Sequence, residues 1–307
     1  MGEEFAVKIW VTGSTGSLGT ELIQELQVNH NQFEVLCPSR KELNLLDREN
    51  VVRFITQNKP TYIIHLAARV FGIAGHRENP NLSFEENSLI DCNIFDGINL
   101  APPEWMYYAS TVAAYGFPYK HLPLQEDEFL IGLPHTTELG YALAKRNAIE
   151  KLQDLREKNN TKFAYGLMTN LYGIGDKHLE GNGHVVVGLI EKALEAANSN
   201  KPLEVWGTGK ATRDFLSTTD AAKIICELIN VNTGAINIAT GQEVSIEFIA
   251  KTLSEYLNLK HGFKFTGDNE GLTRRVCSIE KLKEYSNHVI SINSEQTLEK
   301  YLISSVT

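Results

Sequence analysis

Cysteine is scarce. The 307-residue chain holds four, Cys37, Cys92, Cys226 and Cys277, far apart and never in a Cys-x-x-Cys pair or beside histidine at zinc-ligand spacing. That argues against a disulfide framework and a structural zinc site, and predicts reduced, buried thiols in a cytoplasmic protein. Positive charge is also short. With 29 lysines and arginines against 38 acids the net charge is -9, which argues against non-specific nucleic-acid binding. A few local arginines can still hold an anionic small molecule. No apolar run approaches the roughly 18 residues of a membrane span. The start, Met1-Gly-Glu-Glu-Phe5, is acidic and leads into a strand, so no secretory signal is expected. Ala6 stands where myristoylation of Gly2 needs Ser or Thr. Repeats, low-complexity tracts and linkers are lacking too. What remains, 42% apolar and 22% charged residues, is the composition of a globular chain. Its length allows one large core with a smaller companion.

Strand-like and helix-like segments alternate through the first half. Strands are expected at Ala6–Thr12, Phe33–Cys37, Thr61–Leu66, Trp105–Ala109 and Phe163–Met168. Helices are expected at Leu18–Gln27, Asp47–Gln57, Leu89–Asn99 and Glu138–Glu157. Thr61–Leu66 is almost continuously apolar, as in a strand covered on both faces. The fold class is therefore α/β, a parallel sheet doubly wound with helices. Beyond about residue 175 the rhythm changes, as glycines punctuate shorter elements. Helices are expected there at Ala221–Asn230 and Ile246–Leu257, in a smaller C-terminal region that shares an interface with the first.

Two motifs carry chemistry. Gly13-Ser-Thr-Gly16-Ser-Leu-Gly19 follows the first strand and opens the first helix. Glycine permits the tight turn and close backbone approach, and a helix N-terminus offers free N–H groups to a pyrophosphate. The end of the second strand, Cys37-Pro-Ser-Arg40-Lys41, lacks the acid that would bind ribose hydroxyls of NAD. Arg40 there suits a 2′-phosphate, hence NADPH with NADH as the alternative, or it is a solvated surface residue. Asp47 reaches toward an adenosine or serves as a helix cap.

The second motif is Tyr141-Ala-Leu-Ala-Lys145, whose ends share a helix face. A neighbouring ammonium favours phenolate and lowers the tyrosine's ordinary value near 10, which makes it a usable proton donor to a ketone. Tyr256-Leu-Asn-Leu-Lys260 repeats the spacing, and is expected on a surface helix. Ser110 and Thr111 end the Trp105–Ala109 strand, where open α/β sheets place ligands, and either hydroxyl suits a substrate carbonyl. Together the motifs point to a nicotinamide-dependent oxidoreductase.

The glycine turn, Leu66-Ala67-Ala68, Ser110-Thr111…Tyr115-Gly116 and Tyr141-x-x-x-Lys145 together resemble the extended short-chain dehydrogenase/reductase family. Within it the chain looks most similar to reductases of the GDP-L-fucose synthase type. Arg40-Lys-Glu-Leu-Asn-Leu-Leu-Asp47, His65-Leu-Ala-Ala-Arg-Val-Phe-Gly-Ile73, Thr169-Asn-Leu-Tyr-Gly173, Gly183-His-Val-Val186 and Val205-Trp-Gly-Thr-Gly209…Arg213-Asp-Phe-Leu216 carry that likeness. It implies a Rossmann domain, 1–175 plus about 214–240, and a substrate domain at about 176–213 and 241–307. It also implies a homodimer joined through helices that include the one bearing Tyr141. Tyr141 is the implied general acid, with Lys145 tuning it and holding the nicotinamide ribose. Counting four residues back from Tyr115 prefers Thr111 over Ser110 as hydroxyl donor. Gly13 through Gly19 (Ser14, Thr15, Gly16, Ser17 and Leu18 between them), Leu66, Ala67, Ala68, Met168, Asn170 and Leu171 are implied at the cofactor. Thr111, Asn170, His184, Lys192, Trp206, Arg213 and, more weakly, Arg275 are implied at a nucleotide sugar, with GDP favoured; arginines suit its pyrophosphate.

The resemblance breaks at three places. The reductases it points to also invert two ring carbons, using a Cys just after the catalytic hydroxyl and a His downstream. His184 matches the His, as a proton-transfer or substrate-binding residue or as a relic, but Ala113 stands at the Cys position and carries no proton. Val112-Ala113 also replace the Asp-Glu pair of dehydratases, which argues against water elimination. Thr15 replaces an Arg that binds the 2′-phosphate. The reading is NADPH-dependent C4 reduction of a nucleotide-linked 4-keto-6-deoxy sugar in glycan precursor synthesis, without full 3,5-epimerisation. An NAD-dependent sugar-nucleotide 4-epimerase and a non-catalytic dinucleotide sensor are the alternatives.

Overall fold

The computed structural model describes residues 7–70, 79–176, 185–267 and 272–307. In chain order the elements that position the site begin with β1 (Val7–Thr12), α1 (Ser17–Asn29), β2 (Phe33–Leu36), α2 (Arg48–Asn58) and β3 (Tyr62–His65). There follow α3 (Pro80–Leu100), β4 (Trp105–Thr111), α4 (Leu139–Asn159), β5 (Lys162–Met168) and β6 (Asn170–Tyr172). Then come α5 (Val185–Ser199), β7 (Leu203–Trp206), β8 (Thr212–Ser217), α6 (Thr218–Glu227) and β9 (Gly234–Ile238). The chain closes with β10 (Glu243–Ser245), α7 (Ile246–Tyr256), β11 (Phe263–Thr266), β12 (Arg274–Arg275), α8 (Glu280–Lys283) and α9 (Ser294–Val306).

Six strands form one sheet in the order β2-β1-β3-β4-β5-β9, every neighbouring pair parallel. Its interior strands are covered on both faces, so Ile9, Trp10, Val11, Ile63 and Ile64 have no exposure to solvent. One face packs Leu22 and Leu26 of α1 with Ala221 and Ile225 of α6. The other packs Val51 and Ile55 of α2 with Ile94 and Ile98 of α3 and Leu152 of α4. This is the doubly wound arrangement read from the alternating pattern. Asp47 caps α2, its carboxylate accepting from Asn50 N at 3.2 Å.

Register decides where chemistry can happen. Thr12 pairs with His65, and Thr111 with Met168. The carboxyl ends of β1, β3, β4 and β5 therefore meet along one edge. Strand order reverses between β1 and β3, the switch point where open sheets hold ligands.

A third core gathers Val186, Leu189, Leu203, Val205, Phe215, Leu253 and Leu298. It lies under two small sheets. β10, β8 and β12 run side by side with β6 on β8, and β11 pairs β7. Helices α5 and α9 and strand β9 were not anticipated from sequence. The thiol expectation is half corrected: Cys226 and Cys277 are buried, but Cys37 and Cys92 are exposed. Among the described residues no helix is long and apolar enough to cross a membrane, and no cluster of His, Cys, Asp and Glu could hold a metal ion.

Candidate active site

A cavity of about 1620 Å³ opens along the carboxyl edge of the sheet. The glycine turn, Thr111, Tyr141, Asn170, Trp206 and Arg213 all line it, although they come from both halves of the chain.

At one end lies the turn between β1 and α1. Gly13 has φ +71°, and a Cβ there would stand 2.8 Å from Ala67 N. A Cβ on Gly19 would meet Gly13 O at 2.1 Å. Both positions therefore require glycine. No side chain caps the start of α1, so its first N–H groups keep their capacity for an anion. Ser14, Thr15, Ser17, Leu18, Leu66, Ala67, Ala68, Met168 and Leu171 line the same cavity, as expected. The cradle fits a dinucleotide diphosphate. Arg40 also lines it, is exposed, and has no carboxylate partner among the described residues. Asp47 does not line it; of its two readings the structure supports the cap.

The hydroxyls at the end of β4 take different parts. Ser110 is buried and donates to Tyr165 Oη at 2.7 Å, and Tyr165 in turn donates to Lys145 O at 2.8 Å. Ser110 lines the cavity, but its hydroxyl proton is given to Tyr165. Thr111 Oγ1 instead accepts from Ala113 N at 3.1 Å and leaves its own proton to give. Ala113 is buried and does not line the cavity.

Tyr141 and Lys145 share a face of α4, but their electrostatics differ from expectation. Lys145 is 1% exposed and does not line the cavity. Its Nζ stands 4.6 Å from the Tyr108 ring centroid and 5.9 Å from that of Tyr141. Burial pushes the Lys145 ammonium down, with Asp91 opposing. Burial pushes the Tyr141 phenol up, and Asp91 and Glu138 push it further. Desolvation and the two carboxylates thus act against the acidified phenol read from the spacing.

Sequence reasoning missed a buried network beneath this wall. Thr12 donates its hydroxyl to His65 Nδ1 at 2.7 Å and accepts from Ala67 N at 3.1 Å. His65 Nε2 donates to Asp91 Oδ1 at 3.1 Å, and Tyr108 Oη to Asp91 Oδ2 at 2.6 Å. Burial pushes His65 down, so it is the neutral ring with its proton on Nε2. A signal was available: Ser83, Asn87 and Asp91 recur at helical spacing, and all three are buried.

At the far end, Lys192 Nζ stands 4.4 Å from the Trp206 ring centroid, while Trp206 is 76% exposed. Arg213 is pushed down to about 10 by burial and by Arg275. Among the described residues no carboxylate forms an ion pair with Arg213. Arg275 differs. It donates to Glu138 at 2.6 Å and Tyr119 Oη at 2.9 Å. Although burial disfavours its charge, Glu138 and Tyr119 hold it above the ordinary guanidinium range. Arg275 lines the same cavity, held in place there by these two bonds. His184 lies outside the described residues. Tyr256 ends α7 and Lys260 lies past it, so that repeat of the spacing is not one helical face.

A glycine cradle and a hydroxyl–phenol pair at the edge of a doubly wound sheet, with basic residues lining the same cavity, define a nicotinamide-dependent oxidoreductase. Residues 9–239 match the NAD dependent epimerase/dehydratase family, and the chain belongs to it. It is 32% identical over 279 residues to GDP-L-fucose synthase of Sinorhizobium fredii, covering 90% of this chain and 88% of that protein. It is 29% identical over 286 residues to GDP-L-colitose synthase of Yersinia pseudotuberculosis, covering 91% and 92%. Among solved structures, a GDP-mannoheptose C4 reductase from Campylobacter jejuni with NADP bound has the same fold. The TM-score is 0.83 over 99% of both chains, at 22% identity.

Proposed function

We propose that this chain reduces the C4 ketone of a GDP-linked 4-keto-deoxy sugar with NADPH, in glycan precursor synthesis and without full epimerisation at C3 and C5. The observation that carries the reading is the placement of Thr111 and Tyr141 on the wall of one cavity that the glycine cradle and Arg213 also line. The names of the similar proteins, a fucose synthase, a colitose synthase and a C4 reductase with NADP, support the substrate class and cofactor.

NADPH, when bound, supplies a hydride for the carbonyl carbon. The glycine turn and the start of α1 hold the dinucleotide diphosphate, and Arg40 holds the 2′-phosphate. Thr111 donates a hydrogen bond to the substrate oxygen and fixes its position. Tyr141 then gives its phenolic proton to that oxygen as negative charge develops. A phenol pushed up by burial is fully protonated near neutral pH, the form a donor needs. Arg213 and Lys192 neutralise the nucleotide diphosphate, and Trp206 covers its exposed side.

Ala113 offers no proton-transfer group for inverting ring carbons, which leaves His184 as the candidate for any single inversion or for substrate contact. Val112 and Ala113 likewise supply neither acid nor base for elimination. We place the cofactor region on the large sheet and the substrate region on the two small ones, which moves β6 and β8 across the expected boundaries at 175 and 214. Exposed Leu82, Phe84 and Leu89 on α3, which packs on α4, support a homodimer through these helices.

The test is NADPH absorbance against a panel of GDP-4-keto-deoxy sugars in deuterated water. Oxidation of NADPH with no deuterium at both C3 and C5 is the expected result. Tightly bound NAD⁺ with no net NADPH oxidation would overturn the reading in favour of a 4-epimerase.

A further inference from the structure

We propose that Asp91 is a positioning residue for proton delivery: its buried carboxylate, fixed between His65 and Tyr108, is the counter-charge that keeps Lys145 an ammonium beside Tyr141. This rests on Tyr141 as the proton donor.

The geometry is closed on every side. Asp91 is 5% exposed, and each carboxylate oxygen receives one donor, His65 Nε2 and Tyr108 Oη. The Tyr108 ring lies over the Lys145 ammonium, 4.6 Å from Nζ to centroid. That ring stacks on Tyr165 at 5.5 Å and 4°, and Tyr165 Oη donates to the Lys145 carbonyl. Tyrosines thus grip both ends of Lys145, and Asp91 anchors one of them. The groups facing Lys145 are His65 on β3, Asp91 on α3, Tyr108 on β4, Tyr165 on β5 and Tyr141 on its own helix.

Only one of these groups carries negative charge. A buried ammonium without an anion sheds its proton, because desolvation disfavours the charged form. Burial pushes Lys145 that way, and Asp91 acts against it. That keeps a cation beside the Tyr141 phenol, 5.9 Å from Nζ to the ring centroid. The network also runs through His65 and Thr12 to the Ala67 amide, against which Gly13 packs. Asp91 therefore ties the donor to the floor of the cofactor cradle.

Asp91→Asn removes the charge and keeps the shape. The Lys145 ammonium can be followed directly in apo protein by NMR with lysine labelled at Cε. The expected result is a midpoint lower by at least about one pH unit in Asp91→Asn. The alkaline limb of the kcat/KM profile should move the same way, with NADPH affinity retained. A purely structural aspartate would lower the amplitude and leave the limb in place. Folded Asp91→Asn with an unmoved midpoint and limb overturns the proposal. Should that variant fail to fold, wild-type protein labelled at aspartate Cγ carries the test. The Asp91 signal should inflect at the Lys145 midpoint, and its absence overturns the proposal. Tyr141→Phe separates the two claims. Full activity in that variant removes the donor reading itself, whereas an inactive Tyr141→Phe with an unmoved Asp91→Asn limb removes only the role of Asp91.

Discussion

The floor of the cavity beneath Tyr141 and its rim at Trp206 are built on opposite lines. In the floor, Thr12 donates to His65, His65 and Tyr108 donate to Asp91, Ser110 donates to Tyr165, and Tyr165 donates to the Lys145 carbonyl. Nothing there waits for a ligand. In the rim, Arg213 has no carboxylate of its own among the described residues, Lys192 rests on an aromatic ring, and Trp206 stands in solvent. That end is completed only when an anion arrives. The difference teaches where precision is needed. Proton delivery depends on fixed dipoles and charges that need not reorganise during reaction. Recognition of a diphosphate needs uncommitted cations. Arg275 marks the border, since its sequence context suggests the rim while its bonds to Glu138 and Tyr119 place it with the floor.

The sharpest way to break the comparison is Tyr141→Phe. Loss of about 10³-fold in kcat is expected, with NADPH binding unchanged by fluorescence titration. Retention of most activity would mean the floor does not serve the reaction. Next comes Glu138→Gln, which strands the Arg275 charge in a buried site. A loss of about 3 kcal/mol in denaturant unfolding is expected, as for a broken buried ion pair. Unchanged stability with a raised KM would return Arg275 to the rim. Arg213→Ala should act the other way, raising KM for the GDP-sugar about 30-fold in initial-rate assays. Its melting temperature should fall by no more than about 3 °C. A large drop in stability would show that Arg213, too, is internal structure. Smallest is Arg40→Ala, expected to reduce the preference for NADPH over NADH about tenfold. An unchanged preference would assign that arginine to solvent.

Much of the cofactor half was legible because its elements are long enough to show a period. α2 with its Asp47 cap, and β3 with both faces covered, appear where their patterns place them. β6 and β12 carry no such pattern. Asn170–Tyr172 is a strand because Phe215–Ser217 lies beside it, and Arg274–Arg275 because Thr212–Arg213 does. Short strands owe their existence to partners distant in the chain. Within the site, glycine positions and the shared face of Tyr141 and Lys145 were readable. The division of labour between Ser110 and Thr111 was not readable from the strand end alone, since it depends on Tyr165 lying beneath the first.

By itself the sequence determined which groups are present and which share a turn or a strand end: the cradle glycines, the hydroxyl pair, the Tyr–Lys spacing and the missing proton donor at Ala113. These follow from backbone periodicity, a local property. Tertiary structure alone decided the charge state of the phenol and the partner of each arginine. Those depend on desolvation and on carboxylates from other elements, Asp91 on α3 above all, and neither quantity exists until the chain has closed around them.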